Sequence, residues 1–475
     1  MKRMVACSVV VGVVLAILGS SAAGSVAAQP AQQVEPSRFG IVGGRDKAEE
    51  TAVLGVGWQR VTFEWAAFQP DGPDEFVLAI NPDWVQNAGH EITGLVVGTP
   101  AWASASGSAA AVPDGLGRSA SDPRNFWAAF ITELVTTYAP LGVHHWTIYD
   151  APNVRLGEGR VHFHGDVADY AQLLAVAYEA AHAVDPDAVI HVAAADWWVD
   201  VAAGRPPFFE RLLVELGAEP GADNAGIALP FEVVDVRVYN DTQALWDILG
   251  AYQGALASRE ITGVQVWLET GANPTRDPER RMRSPLFGIT LDQQADFLVQ
   301  VAAISLALDV ERMAVPLVDT VDENQPWGLL RIESEPGEER RPAFEAYRTV
   351  IELFADAGTV TRYEHVAADL IVIESARQDV YVLWMRGAWP GEFTITSPEV
   401  GESATLYTAQ GWFRTVRSEA FDWPASFRLG ADPAQRDAND FLTVAGSPRL
   451  LVLEPSGEFF RVVYVLANGE YFRMK

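Results

Sequence analysis

The feature that most limits the fold of this chain is a series of eight short apolar stretches alternating with segments of helical periodicity. The stretches are Phe39–Val42, Gly57–Phe63, Gly94–Gly98, His145–Tyr149, Ala188–Ala194, Val233–Tyr239, Val264–Glu269 and Met313–Val318, each the length of a buried strand. Apolar residues three and four apart mark helices over Asn125–Tyr138, which follows the start signal Ser121-Asp122-Pro123, and over Asp166–Val184. Asp292–Leu308 and Pro342–Ala357 continue the pattern. A doubly wound sheet carries a glycine-rich phosphate turn, and none is present here. The alternation therefore predicts a parallel (β/α)8 TIM barrel over residues 38–357.

Beyond Gly358 the rhythm changes. Asp369–Ser375, Asp379–Met385, Glu392–Ile395, Ala404–Tyr407, Gly411–Val416, Ser426–Leu429 and Leu450–Glu454 are short alternating runs separated by Gly, Pro, Asp and Ser. They predict a small C-terminal antiparallel β-sandwich over 358–475, with a tail hairpin turning at Asn468-Gly469.

At the other end, Lys2 and Arg3 precede an apolar run from Val9 to Leu18 and small residues ending at Ala28, the pattern of a signal peptide over residues 1–28. An uncleaved N-terminal anchor is the alternative for the same segment. Residues 29–37 read as a polar leader, and the expected location is secreted or extracytoplasmic. The single cysteine, Cys7, precedes the apolar run, so the mature chain is expected to have no disulfide. A chain of 475 residues, 49% hydrophobic and 20% charged, can bury a large core. Its net charge of −29, or −31 once Lys2 and Arg3 leave with the signal, argues against nucleic acid or an anionic membrane surface as partner. His144, His145, His162 and His164 lie close in sequence but lack a matching framework of acids and thiols, so neither a metal site nor a cofactor is expected.

Polar chemistry gathers at the ends of two predicted strands. His144–Val154, HHWTIYDAPNV, reads as a buried strand running into a loop that carries Asp150, Ala151 and Asn153. Val264–Gly271, VQVWLETG, is an apolar strand ending in Glu269. Parallel barrels present their sites at such strand ends.

The order of GWQRVTFEWAAFQP (57–70), GLVVGTPAWAS (94–104), WTIYDAPN (146–153), VDVRVYN (234–240) and VWLETG (266–271), closed by PWGLLR and RRPAFEAYR, resembles the clan of retaining glycoside hydrolases on (β/α)8 barrels, families 5 and 39 above all. The resemblance implies that Glu269 holds the nucleophile position at the end of the seventh strand and that Arg60 matches an arginine near it. Where the clan has Asn-Glu at the end of the fourth strand, with glutamate as acid/base, this chain has Asp150-Ala151; a histidine of the sixth strand is replaced by Arg237, ahead of Tyr239.

Retaining hydrolysis needs two carboxyl groups about 5 to 5.5 Å apart, one to attack the sugar carbon and one to protonate the leaving oxygen. Alanine does neither. Asp150, Glu158 and Asp196 are the alternative acids, each weighed against an ordinary solvated or capping carboxylate. Glu269 itself has a structural alternative as an ion-pair partner of Arg60 or Arg237. Trp102, Trp197 and Trp198 can offer flat faces to sugar rings or simply pack, and Asn153 joins Arg60, Arg237 and Tyr239 as a candidate substrate contact. Arg276, Arg280, Arg281 and Arg283 suit either anionic sugars or local acids. Two readings result: a secreted carbohydrate-binding barrel with weak or lost hydrolysis, and an active O-glycosyl hydrolase with a relocated acid. In both, the partner is an oligo- or polysaccharide.

Overall fold

The computed structural model describes residues 37–473 except 222–223, 225–226, 275–288, 320–326, 332–339, 397–402, 419–425, 437–441, 456–461 and 468–469. Residues 1–28, where a signal peptide is expected, the arginines at 276–283 and the expected Asn468-Gly469 turn lie outside the described residues.

Eight parallel strands close on themselves in sequence order: β1 (Phe39–Val42), β2 (Trp58–Glu64), β3 (Glu91–Val97), β4 (His145–Ile148), β5 (Val189–Val192), β6 (Val233–Tyr239), β7 (Gln265–Gly271) and β8 (Arg312–Pro316). Closure comes from β1 pairing with β8, Phe39 opposite Met313 and Val42 opposite Pro316. The helices in chain order are α1 (Ala48–Leu54), α2 (Trp65–Phe68), α3 (Pro82–Gln86), α4 (Phe126–Tyr138), α5 (Val167–His182), α6 (Trp197–Ala202), α7 (Phe208–Glu215), α8 (Thr242–Ala257), α9 (Leu291–Ala307) and α10 (Pro342–Phe354). The predicted strands coincide with the eight observed ones to within a few residues, because each apolar run is buried on both faces.

Helix starts follow local chemistry. Asp166 caps α5 and Thr290 caps α9, each in a reciprocal capping box. Asp196 and Asp241 cap α6 and α8. Bulky rings inside the barrel require bare backbone opposite them: a Cβ on Gly94 would stand 2.4 Å from the Trp146 ring. Tyr347 of α10 donates to the carbonyl of Gly40, tying the last helix to the first strand. Arg341, just before α10, forms a buried two-pronged pair with Asp319 (2.7 and 2.9 Å).

The C-terminal part is two antiparallel sheets and a short ribbon. The larger sheet has six strands, including Val360–His365, Ala368–Glu374, Asp379–Met385 and Arg449–Leu453; the smaller has four, including Gly391–Thr396 and Ser426–Ala431. Ala368–Glu374 and Asp379–Met385 are apolar on both faces for a reason visible in their neighbours. Leu370, Val372 and Leu383 face Phe393, Ile395, Phe427 and Leu429 of the smaller sheet, whereas Ile371, Ile373, Val382 and Trp384 join the barrel core. Helix α9 lies under this contact and is buried all round, as a helix covered on two sides must be. Strand Val360–His365, which the periodicity does not predict, is an edge with no buried residue. Residues 36–475 form one compact unit. Among the described residues no helix is long and apolar enough to cross a membrane.

Candidate active site

The inward positions of the barrel strands are unusually polar, and at the C-terminal mouth they converge on Glu269. Alternation along β6 turns Asp235, Arg237 and Tyr239 toward the interior, with Arg237 in register with Glu269 of β7. The Tyr239 hydroxyl donates to Glu269 Oε1 (2.6 Å), Arg60 Nη1 donates to Glu269 Oε2 (3.2 Å), and Arg237 Nε lies 3.4 Å from Oε1. Arg60 is shared: its Nη2 donates to Asp235 Oδ2 (2.8 Å), which also accepts from Thr147 (2.8 Å). Arg237 in turn holds Asp150 through Nη2 (2.8 Å).

Electrostatics fix the protonation of these groups. Burial opposes the charge on Asp235, but Arg60 and His191 outweigh it and hold the carboxyl down at about 2. For Asp150 burial is likewise overcome, by Arg237 and His162, leaving it below the usual carboxylate range. Burial would discharge Arg237, yet Asp150 and Glu269 hold it firmly cationic; burial, then Glu269, keep Tyr239 a neutral phenol. Glu269 therefore faces one phenolic donor and two guanidinium groups.

A second chain of contacts runs down the barrel axis. His191 Nδ1 lies 3.2 Å from Asp235 Oδ1, and His191 Nε2 lies 2.9 Å from His145 Nδ1. Burial lowers the pKa of both imidazoles. With Asp235 ionised, neutral His191 donates from Nδ1 and accepts at Nε2 from His145 Nδ1. His145 Nε2 is then bare, so its 3.5 Å separation from Glu91 is not an ion pair; Glu91 is held instead by Arg312 (2.8 Å). The four clustered histidines do not converge. His144 pairs with Asp185, and His162 approaches Asp150 to 4.0 Å. Among the described residues no group of three or more His, Cys, Asp or Glu side chains is placed to hold a metal ion.

The end of β4 is bent. Tyr149 (φ 61°) and Ala151 (φ 39°) both lie in the left-handed region on either side of Asp150, a conformation non-glycine residues adopt where the surroundings impose it. Tyr149 is anchored by its ring in the core and by Thr99. Simple strand alternation would separate Asp150 from the site, but the strand has already ended at Ile148, and the bend brings Asp150 onto Arg237. Ala151 lines a cavity of about 480 Å³ with Asp196, Trp197, Trp198, Arg237 and Tyr239.

The three alternative acids stand differently. Glu158 is clamped by both terminal nitrogens of Arg205 (2.7 and 3.0 Å) and by the Arg155 amide, which depress its pKa. An acid catalyst needs the opposite shift. Asp150 is depressed as well. Asp196 lines the cavity while capping the amide of Val199. Asn153 is buried, with its amide nitrogen given to the Asp196 carbonyl and to Asp200, and its oxygen accepting from the Asp196 amide, so it shapes the loop before α6. Trp102 packs edge-on against Trp65 and Phe126 and donates to the Gln69 carbonyl, away from the cavity lining. Trp197 and Trp198 do line it, Trp198 being 55% exposed.

Sequence reading did not single out Asp235, His191, Asp241 or Trp327. Asp235 and His191 sit mid-strand in apolar runs, and that placement of a charge was the available signal. Asp241 borders the cavity at the start of α8, where burial, opposed by the Gln243 and Ala244 amides it caps, raises its pKa. Trp327, from the PWGLLR motif, packs on Tyr239 with ring centres 4.6 Å apart.

The closed eight-stranded barrel with its C-terminal antiparallel sheets and a glutamate at the end of β7 has the fold of glycoside hydrolases of families 39, 51 and 30. A family 39 glycoside hydrolase from Bacteroides cellulosilyticus superposes with a TM-score of 0.59 at 14% identity, over 88% of this chain and 81% of that one. A glucosidase from Croceicoccus marinus gives 0.56 at 12% identity, over 89% and 96%. A family 51 α-L-arabinofuranosidase from Bifidobacterium longum gives 0.52 at 12%, over 86% and 89%. No family model matches the sequence, and no curated protein matches it.

Proposed function

We propose that this chain is a secreted, glycoside-hydrolase-like protein that binds an oligo- or polysaccharide at the barrel mouth and has weak or lost hydrolysis of ordinary glycosides. One observation carries the reading. The position beside the cavity where the resemblance puts an acid/base is Ala151, and two of the alternative acids, Asp150 and Glu158, are each paired with an arginine. Loss of an acid/base group costs ~10²- to 10⁴-fold in rate when the leaving group is poor. Secretion rests on the signal-like residues 1–28.

A competent Glu269 still attacks a glycoside whose leaving group departs unaided, and without a base the resulting ester hydrolyses slowly. Mass spectrometry after incubation with activated aryl glycosides is expected to show a sugar ester on Glu269. Azide, which needs no base, is expected to release a sugar azide of retained configuration, and Ala151→Glu to shorten the adduct's lifetime. A protein that binds oligosaccharide, forms no adduct and gains nothing from Ala151→Glu is a binding module alone.

The second reading is an active hydrolase whose acid is Asp196, favoured by that residue's place on the cavity wall. It requires turnover of unactivated oligosaccharides that Asp196→Asn abolishes.

A further inference from the structure

The cavity beside Ala151 combines three properties that together specify a leaving group. Its wall is largely apolar: Ala151, Ala195, Trp197 and Trp198 contribute to it, and no proton donor stands at position 151. Its cation is Arg237, kept charged by Asp150 and Glu269 and placed on the same wall. Its volume, about 480 Å³, lies in the range of small-molecule pockets and exceeds what one sugar hydroxyl requires. We infer that this cavity receives the aglycone of glycosides whose leaving group is a planar, acidic phenol, and that Arg237 stabilises the departing phenolate in place of protonation. The inference rests on the carbohydrate-site reading above and narrows it to a substrate class.

The chemistry balances without an acid. A Glu269 carboxylate oxygen attacks the anomeric carbon as the bond to the phenolic oxygen breaks, and the phenolate leaves with the electron pair. Water then adds at the same carbon, the bond to Glu269 breaks, and the proton of water passes to solvent. A phenol ionises near pH ~10, and lower with electron-withdrawing substituents, far below an alkyl or sugar hydroxyl. Such a group needs no proton in the transition state, which removes the acid task that Ala151 cannot perform and leaves the slow, unassisted addition of water as the second step. Charge developing on the phenolic oxygen meets a guanidinium already held in place by Asp150 and Glu269, so the stabilisation costs no reorganisation at the moment of reaction. Indole faces supply the stacking surface for the ring.

Two measurements test this on the full chain. The first titrates free 4-methylumbelliferone into the protein and follows tryptophan fluorescence. Saturable binding is expected, weakened at least tenfold by Trp198→Ala, a change at an exposed position that leaves the core intact. The second measures kcat/KM for aryl glycosides of glucose, xylose and arabinofuranose whose phenols span a range of acidity. A steep fall, close to tenfold per unit of leaving-group pKa, is expected in the parent; Ala151→Glu is expected to flatten it, and Arg237→Gln to lower every rate. The inference is overturned by non-saturable phenol binding, by turnover of none of the aryl glycosides, or by a flat series that steepens in Asp196→Asn or Asp241→Asn, since that reveals an acid already present. Oligosaccharide binding is measured separately. Phenol binding without it defeats the carbohydrate reading and leaves the aryl cavity standing; oligosaccharide binding without phenol binding does the reverse.

Discussion

Asp235 governs the surroundings of Glu269 although the two do not touch. It fixes Arg60 from below, orders Thr147 and sets the tautomer of His191, so the guanidinium presented to Glu269 has one position. Replacing it with asparagine leaves Arg60 buried beside a neutral group. Breaking a buried pair from one side costs on the order of 3–5 kcal/mol, so urea denaturation of Asp235→Asn is expected to show a loss of that size. Acid titration gives an independent check. The folded carboxyl titrates at about 2 against an ordinary 3.8, so its contribution is full above pH 4 and is lost as pH falls toward 2. The difference corresponds to roughly 2 kcal/mol. Asp235→Asn is expected to remove that acid-limb dependence; an unchanged limb would assign the residue no such role.

At the level of elements, the ends of β4 and β5 are pinned by one side chain. The Tyr170 hydroxyl, on α5, donates to the Ile148 carbonyl and accepts from the Ala193 amide, both at 2.8 Å. These contacts hold the bend that carries Asp150 and Ala151 and the loop that leads to Trp197. Tyr170→Phe strands a buried carbonyl and a buried amide at about 1–3 kcal/mol. Thermal denaturation is expected to report that loss, and weaker phenol binding to accompany it because the two cavity walls are no longer held together. Gly94→Ala drives a methyl into the Trp146 ring and is expected to cost about 1–3 kcal/mol, with near-ultraviolet circular dichroism showing the disturbed indole.

For the whole molecule, the join between barrel and C-terminal sheets contains a second unusual acid. Asp296 of α9 accepts from Ser447 (2.6 Å), and four residues on, Gln300 donates to the Gly446 carbonyl (2.9 Å). Burial raises Asp296 to about 7, with Asp292 and Asp432 adding and Ser447 and Arg449 opposing. Because the folded state binds this proton more tightly than the unfolded one, the stability it supplies is complete below about pH 4 and is lost as pH rises through 7. Asp235 acts in the opposite sense below pH 4, and the net charge of −29 adds self-repulsion at neutral pH. Stability is therefore expected to peak near pH ~4 and to fall progressively between about pH 4 and 7. Asp296→Asn is expected to raise stability at pH 8 by a few kcal/mol and leave it little changed at pH 4; the reverse pattern would contradict the sign argued here.

The barrel was legible from residue order alone because both faces of each strand are buried, so eight apolar runs announce eight strands without reference to one another. Glu269 was legible as a carboxylate ending such a run, whereas Arg60 entered only through the family resemblance. The hairpin strands Val462–Ala467 and Glu470–Arg473 pair as the Asn-Gly signal between them predicts. Tertiary structure alone decided the rest. The bend at Tyr149 and Ala151 overrides strand alternation and delivers Asp150 to Arg237, and no local pattern encodes a left-handed tyrosine or alanine. Whether Glu158, Asp196 and Asn153 face the cavity, an arginine or a neighbouring carbonyl depends on partners up to about fifty positions away, among them Arg205. Charge pairing of this kind has no period in the sequence; it is set by distance across the closed barrel.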